Sequence, residues 1–102
     1  MKRSRKEPLE SAITKRILRA LREDEGFWVK IHGGPHQTTG LPDIVGCRRG
    51  TFYGLEVKRP STKEDVTARQ AEILAEIGRS GGLVSVVSSV EEALKFVQGG
   101  EK

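Results

Sequence analysis

Apolar residues along this chain change period from one segment to the next. Leu9, Ile13, Ile17 and Leu21, helped by Ala20, recur at helical spacing, which predicts a helix over 8–24 with Pro8 in its first turn and an end near Gly26. Phe27–His32 (FWVKIH) mixes aromatic and β-branched residues and predicts a first strand. A glycine-rich loop follows over 33–41. Two more strands are predicted at Asp43–Arg48 (DIVGCR) and Thr51–Lys58 (TFYGLEVK), joined at Arg49-Gly50. A polar connection over 59–65 leads to Thr67, a helix N-cap with Gln70 as its capping-box partner. Ile73, Leu74 and Ile77 make the apolar stripe of that helix, and Gly81-Gly82 end it. Leu83–Val87 (LVSVV) predicts a short buried strand. Ser89 then caps a last helix over 90–97, where Glu91 and Glu92 suit the positive end of the dipole. The order is αβββαβα. A helix between the third and fourth strands implies a crossover, so the expected fold is α/β, with a mixed sheet and helices on both faces.

Length makes this one domain. At 102 residues there is room for a core but not for a second domain. The expected division is a basic flexible arm over 1–7, a folded domain over 8–98 and a flexible tail over 99–102. The net charge of +4 is uneven: Lys2, Arg3, Arg5 and Lys6 precede every acidic residue, and the rest of the chain carries fourteen basic and fourteen acidic residues. The arm could hold nucleic-acid phosphates or could simply aid solubility. No run approaches the ~18 apolar residues of a membrane span, and no apolar segment follows the basic start as in a secretory signal. The lone Cys47 allows no internal disulfide, fits a reducing cytoplasm and is expected to be a small buried residue.

The chemistry lies in the hairpin. With Arg49 and Gly50 as a two-residue loop, Arg48 faces Thr51, Ile44 faces Leu55 and Asp43 faces Glu56. Directly paired residues share a face, with Cβ atoms roughly 4.5–5.5 Å apart. Lys58, two residues past Glu56, shares that face as well. Two carboxylates so close repel unless a positive charge lies between them. Mg²⁺ or Mn²⁺ suits such oxygen ligands, and an ammonium beside the metal can orient water or stabilise charge on a phosphate. Asp43 alone reads as a turn carboxylate. Grouped with Glu56 and Lys58 it reads as a metal ligand. The structural alternative is an Asp43–Glu56 pair neutralised by Lys58.

Pro42-Asp43, with Glu56-Val57-Lys58 beginning thirteen residues after Asp43, matches the PD-(D/E)XK nuclease motif. Together with the Gly33–Leu41 loop and the helix opened by Thr67-Ala68-Arg69-Gln70, it resembles the virus-type replication-repair nuclease (VRR-NUC) family over roughly Leu9 to Val97. That resemblance implies a PD-(D/E)XK nuclease core and a metal-dependent DNA endonuclease acting on branched or structured DNA such as four-way junctions. It implies a role in replication, recombination or repair, often in a phage setting. It also implies an acidic ligand from the first helix, assigned to Glu10 with Glu7 as a neighbouring competitor. The Val57 carbonyl becomes a further ligand, Gln70 an active-site residue, and the protein a homodimer. Trp28, Phe52 or the last helix is expected to supply the interface. A non-catalytic DNA-binding module and a small protein-interaction domain are the rival readings.

The remaining polar residues are less specific. Gln70 serves equally as a capping-box residue. Arg69 reads as a phosphate contact or an exposed side chain. In the glycine loop, His36, Thr38 and Thr39 are candidate DNA contacts, although a surface position is the commoner fate of a loop histidine. His32 reads as structural and Trp28 as core. The histidines lack zinc-site spacing, and the loop lacks a Walker lysine.

Overall fold

The computed structural model describes residues 7–99. The chain forms α1 (Glu10–Asp24), β1 (Phe27–Lys30), β2 (Ile44–Arg48), β3 (Thr51–Val57), α2 (Ala68–Arg79), β4 (Leu83–Val87) and α3 (Val90–Gly99). The order αβββαβα is the expected one. The four strands lie in sequence order in one sheet. β1–β2 and β2–β3 are antiparallel and β3–β4 is parallel, so the sheet is mixed, with α2 as the crossover. No helix among the described residues is long and apolar enough to cross a membrane.

The hairpin register is as predicted, with Arg48 opposite Thr51 and Ile44 opposite Leu55. Arg49 at φ 50° and Gly50 at φ 84° form the turn. Two successive left-handed residues match the twist of the flanking strands.

The helices divide between the faces. Ile13, Ile17 and Leu21 of α1 and Ala93 and Val97 of α3 pack with Trp28, Ile44, Tyr53, Leu55, Val57 and Val87 in one core. Tyr53 anchors this layer. Its ring lies 5.7 Å from Trp28 and 5.5 Å, edge-on, from Phe96, and its hydroxyl donates to the Val97 carbonyl at 3.1 Å. Arg48 is buried at the hairpin end, where it pairs with Asp24 and Glu25 and donates to the same carbonyl. On the other face α2 approaches β3 and β4, and Ile73 is its buried hydrophobic residue.

Several boundaries differ from expectation. α1 starts at Glu10, after a Leu9 N-cap that makes no side-chain cap bond, so Pro8 lies before the helix. β1 ends at Lys30, although Ile31 N–H still donates to the Asp43 carbonyl at 2.8 Å. The connection after β3 contains a 3₁₀ turn, Pro60–Thr62. α3 continues to Gly99, so the tail does not begin there, and Gln98 reaches Asp24. Glu7, placed in the arm, is tied down instead. Its carboxylate accepts from Ser61 N–H at 2.8 Å and Ser61 Oγ at 2.6 Å and pairs with Arg59.

Both predicted caps form. Thr67 and Gln70 make a reciprocal capping box, and Ser89 Oγ accepts from Glu92 N–H. One burial expectation fails. Cys47 is exposed because it lies on the sheet face opposite Ile44 and Arg48, beyond the cover of α2. Trp28 is core, as expected, at 2 % exposure, and donates its indole N–H to the Glu25 carbonyl; it therefore leaves no surface for the interface also expected of it. The exposed aromatics are Phe27 and Phe52, at 68 % and 44 %. Both are cross-strand neighbours of Cys47.

Candidate active site

Asp43 immediately precedes β2, and Glu56 is the penultimate residue of β3. Extending the observed register by one residue sets them opposite each other. Asp43 Oδ2 accepts from Val57 N–H at 2.7 Å, which locks the carboxylate against the strand end. In an extended strand the N–H and C=O of one residue point to the same side, so the Val57 carbonyl is turned toward Asp43 too.

Glu56 is 2 % exposed. A buried carboxylate is costly unless it is paired or hydrogen-bonded. Its Oε2 accepts from Gln70 Nε2 at 2.9 Å and lies 3.8 Å from Lys58 Nζ. Its Oε1 is buried with no hydrogen-bond donor. Burial is the largest influence raising the Glu56 pKa, to about 7, and the charge of Asp43 adds to the rise. Lys58 opposes the shift, while Glu10 and a hydrogen bond to Asp43 reinforce it. Without a cation, Glu56 therefore tends to hold its proton. Lys58 is itself buried, at 8 % exposure.

Gln70 both caps α2 and reaches Glu56. Its Oε1 accepts from Thr67 N–H at 3.0 Å while its Nε2 holds Glu56. The capping box thus orients the amide that orients the carboxylate. Gly54 lets Pro42, the residue before Asp43, lie close against β3. A Cβ there would lie 3.0 Å from Pro42 Cγ, 3.5 Å from Val84 and 3.6 Å from Ile77. Sequence reading passed over this residue, although an isolated glycine inside a strand is a signal of close approach.

The remaining candidates separate. Glu10 lies in the first turn of α1, exposed, and its charge reaches Glu56. Its competitor Glu7 is committed to Ser61 and Arg59. Among the described residues no three His, Cys, Asp or Glu side chains are grouped so as to hold a metal ion, so Glu10 is not drawn into the Asp43–Glu56 pair as a third ligand. Thr38 and Thr39 line a cavity of about 360 Å³ that ends at Asp43. His36 is exposed in the same loop but does not line that cavity. Arg69 pairs with Glu72 at 2.9 Å and packs beside Gly40. Lys2, Arg3, Arg5 and Lys6 lie outside the described residues.

A divalent cation fits the donor chemistry. Glu56 Oε1 is a buried oxygen lacking a donor, Asp43 is adjacent, and the Val57 carbonyl faces the same side. All are hard oxygen ligands. The chain matches no protein-family model, and no curated protein matches it.

Proposed function

We propose that this protein is a Mg²⁺- or Mn²⁺-dependent DNA endonuclease with a PD-(D/E)XK-type centre, acting on branched DNA. One observation carries the reading: when ionised, the buried Glu56 keeps an oxygen without a donor beside a second carboxylate and a buried lysine. A purely structural ion pair would satisfy that oxygen, because an unpaired buried polar atom costs stability.

In this reading Asp43, Glu56 and the Val57 carbonyl hold the cation. Glu10, whose charge reaches Glu56, would be the third carboxylate of the set. A metal bound there supplies an acidified water and neutralises phosphate charge. Lys58 presents its ammonium to the phosphate oxygen that gains charge as water attacks phosphorus. The attacking water releases its proton to solvent as its bond to phosphorus forms, the P–O bond to the leaving sugar oxygen breaks, and that oxygen takes a proton from solvent. Gln70 keeps Glu56 turned so that Oε1 faces the centre. Thr38, Thr39 and His36 contact the strand beside Asp43, with Arg69 behind them.

The protein acts as a homodimer, presenting two centres to a two-fold-symmetric junction. Phe27, Cys47 and Phe52 form an exposed apolar row across β1, β2 and β3 on the face that carries Asp43 and Glu56. That row is the surface a second copy would bury. Labelled four-way junctions and linear duplex, incubated with Mg²⁺, Mn²⁺ or EDTA, test the function. Metal-dependent cutting with preference for the junction is expected. Binding without cutting would leave a DNA-binding module, and equal cutting of both substrates would remove the junction specificity. Light scattering tests assembly, with Phe52→Glu expected to yield monomers.

A further inference from the structure

We propose that the groove between α1 and the edge strand β1 is a track for the sugar–phosphate backbone of one arm of the DNA substrate, with Lys15, Arg22 and Lys30 as its cations. The identity of the occupant rests on the nuclease reading. The groove itself is independent of the carboxylate centre.

Ser11, Lys15, Leu18 and Arg22 line one wall of a groove of about 600 Å³, and Val29, Lys30 and His32 line the other. The α1 residues follow each other by four, three and four positions, which keeps them on one helix face. At 1.5 Å per residue this stripe is roughly 16 Å long. One strand of duplex DNA carries a phosphate about every 3.4 Å of axis. A track of that length therefore meets several phosphates, which suits a repeating polyanion better than a single small anion.

Charge makes the surface one-signed. No carboxylate lines the groove. The acids at the end of α1 are engaged elsewhere, Glu23 with Arg19 and Asp24 and Glu25 with Arg48. Among the described residues, Lys15, Arg22 and Lys30 form no ion pair with a carboxylate. Arg22 spends Nε on the Trp28 carbonyl at 3.1 Å, which sets the guanidinium and leaves its terminal nitrogens for an anion. Lys30 makes only a 3.5 Å contact with the Ile31 carbonyl. Ser11 and His32 add hydrogen-bonding groups of the kind that contact phosphates.

Position links the groove to the centre. Ser11 directly follows Glu10, whose charge reaches Glu56. Lys30 pairs with Ile44, the residue after Asp43. A strand lying in the groove is thus led to the end of the sheet where the carboxylates sit.

The test is binding of a labelled four-way junction and a linear duplex in EDTA, by fluorescence anisotropy across a NaCl series. The Lys15→Gln/Lys30→Gln protein removes two cations that have no carboxylate partner. Its slope of log affinity against log salt should fall by about 1.8, since each phosphate contact contributes about 0.9. Lys15→Arg/Lys30→Arg should keep the wild-type slope. Cutting by the Gln variant should show a raised KM with kcat retained. An unchanged slope in the Gln variant overturns the track even if the protein cuts DNA. Loss of slope in a protein that never cuts leaves the track standing and removes the nuclease reading. Binding to phosphatidylserine vesicles but not to DNA overturns the assignment of the occupant.

Discussion

Leu55 and Glu56 are neighbours in β3, yet they face different layers. Leu55 joins the core under α1 and α3 and is fully buried. Glu56 faces the layer of α2, where its partners are Gln70, Lys58 and Asp43. Both side chains are almost inaccessible, but for opposite reasons. Burying a leucine contributes about 1.5–3 kcal/mol. Burying a glutamate costs stability unless its charge is compensated. One face of the sheet therefore holds the fold together, and the stability it provides supports an unfavourable arrangement on the other.

The largest effect should come from breaking the first layer. Leu55→Ala removes a fully buried side chain and should cost about 2–5 kcal/mol, lowering the thermal midpoint by roughly 4–8 °C for each kcal/mol in a domain of this size. Calorimetry checks the shift. A drop below about 1 kcal/mol would show that Leu55 is not core.

Changing its neighbour should spare the fold. Glu56→Ala should reduce DNA nicking by about 10²–10³, equivalent to ~2.7–4 kcal/mol of barrier, with a melting temperature no lower than wild type. Asp43→Ala should match it in activity. Cleavage at the wild-type rate by Glu56→Ala would sink the site.

A smaller effect separates the faces by pH. The Glu56 pKa is raised to about 7 in the folded protein, so the folded state holds this proton more tightly than the unfolded state. The stabilisation is complete below the unfolded value near 4.5 and is lost as pH rises through about 7. Metal-free protein should thus lose up to about 3 kcal/mol across that window relative to Glu56→Gln. Denaturant melts of the two proteins at pH 4.5, 6 and 8 measure the difference. Mg²⁺ or Mn²⁺ should restore stability at pH 8 by mass action. Parallel pH curves for wild type and Glu56→Gln would mean that the glutamate is not held as described.

The smallest effect concerns the bridge between cap and site. Gln70→Ala should lose about 1 kcal/mol of helix capping. It should also slow cleavage, because Glu56 loses the donor on Oε2. Gln70→Glu keeps the acceptor for Thr67 N–H but sets a third carboxylate beside Glu56. It should therefore melt lower than wild type at pH 8 and recover at pH 5. Equal melting at both values would show that the side chain does not reach Glu56.

Local chemistry made much of this protein legible. The Arg49-Gly50 turn determined the hairpin register, because a two-residue loop leaves one pairing and strand alternation then assigns each side chain to a face. Asp43, Glu56 and Lys58 were grouped by that rule alone. The capping box at Thr67 and the Ser89 cap were legible for the same reason: donor and acceptor lie within one helical turn. Cys47 was not, because its exposure depends on which part of the sheet a distant helix covers. Gln70 was legible as a cap, but only the packing of α2 against the sheet brought its amide to Glu56. The grouping of Lys15, Arg22 and Lys30 was likewise invisible, since it needs a helix and an edge strand to lie side by side. Sequence thus determined the short-range periodicities, turns and caps, which are set by neighbouring backbone geometry. Tertiary structure decided burial, the unmatched oxygen of Glu56 and the course of the cationic groove, which depend on surfaces brought together from far along the chain.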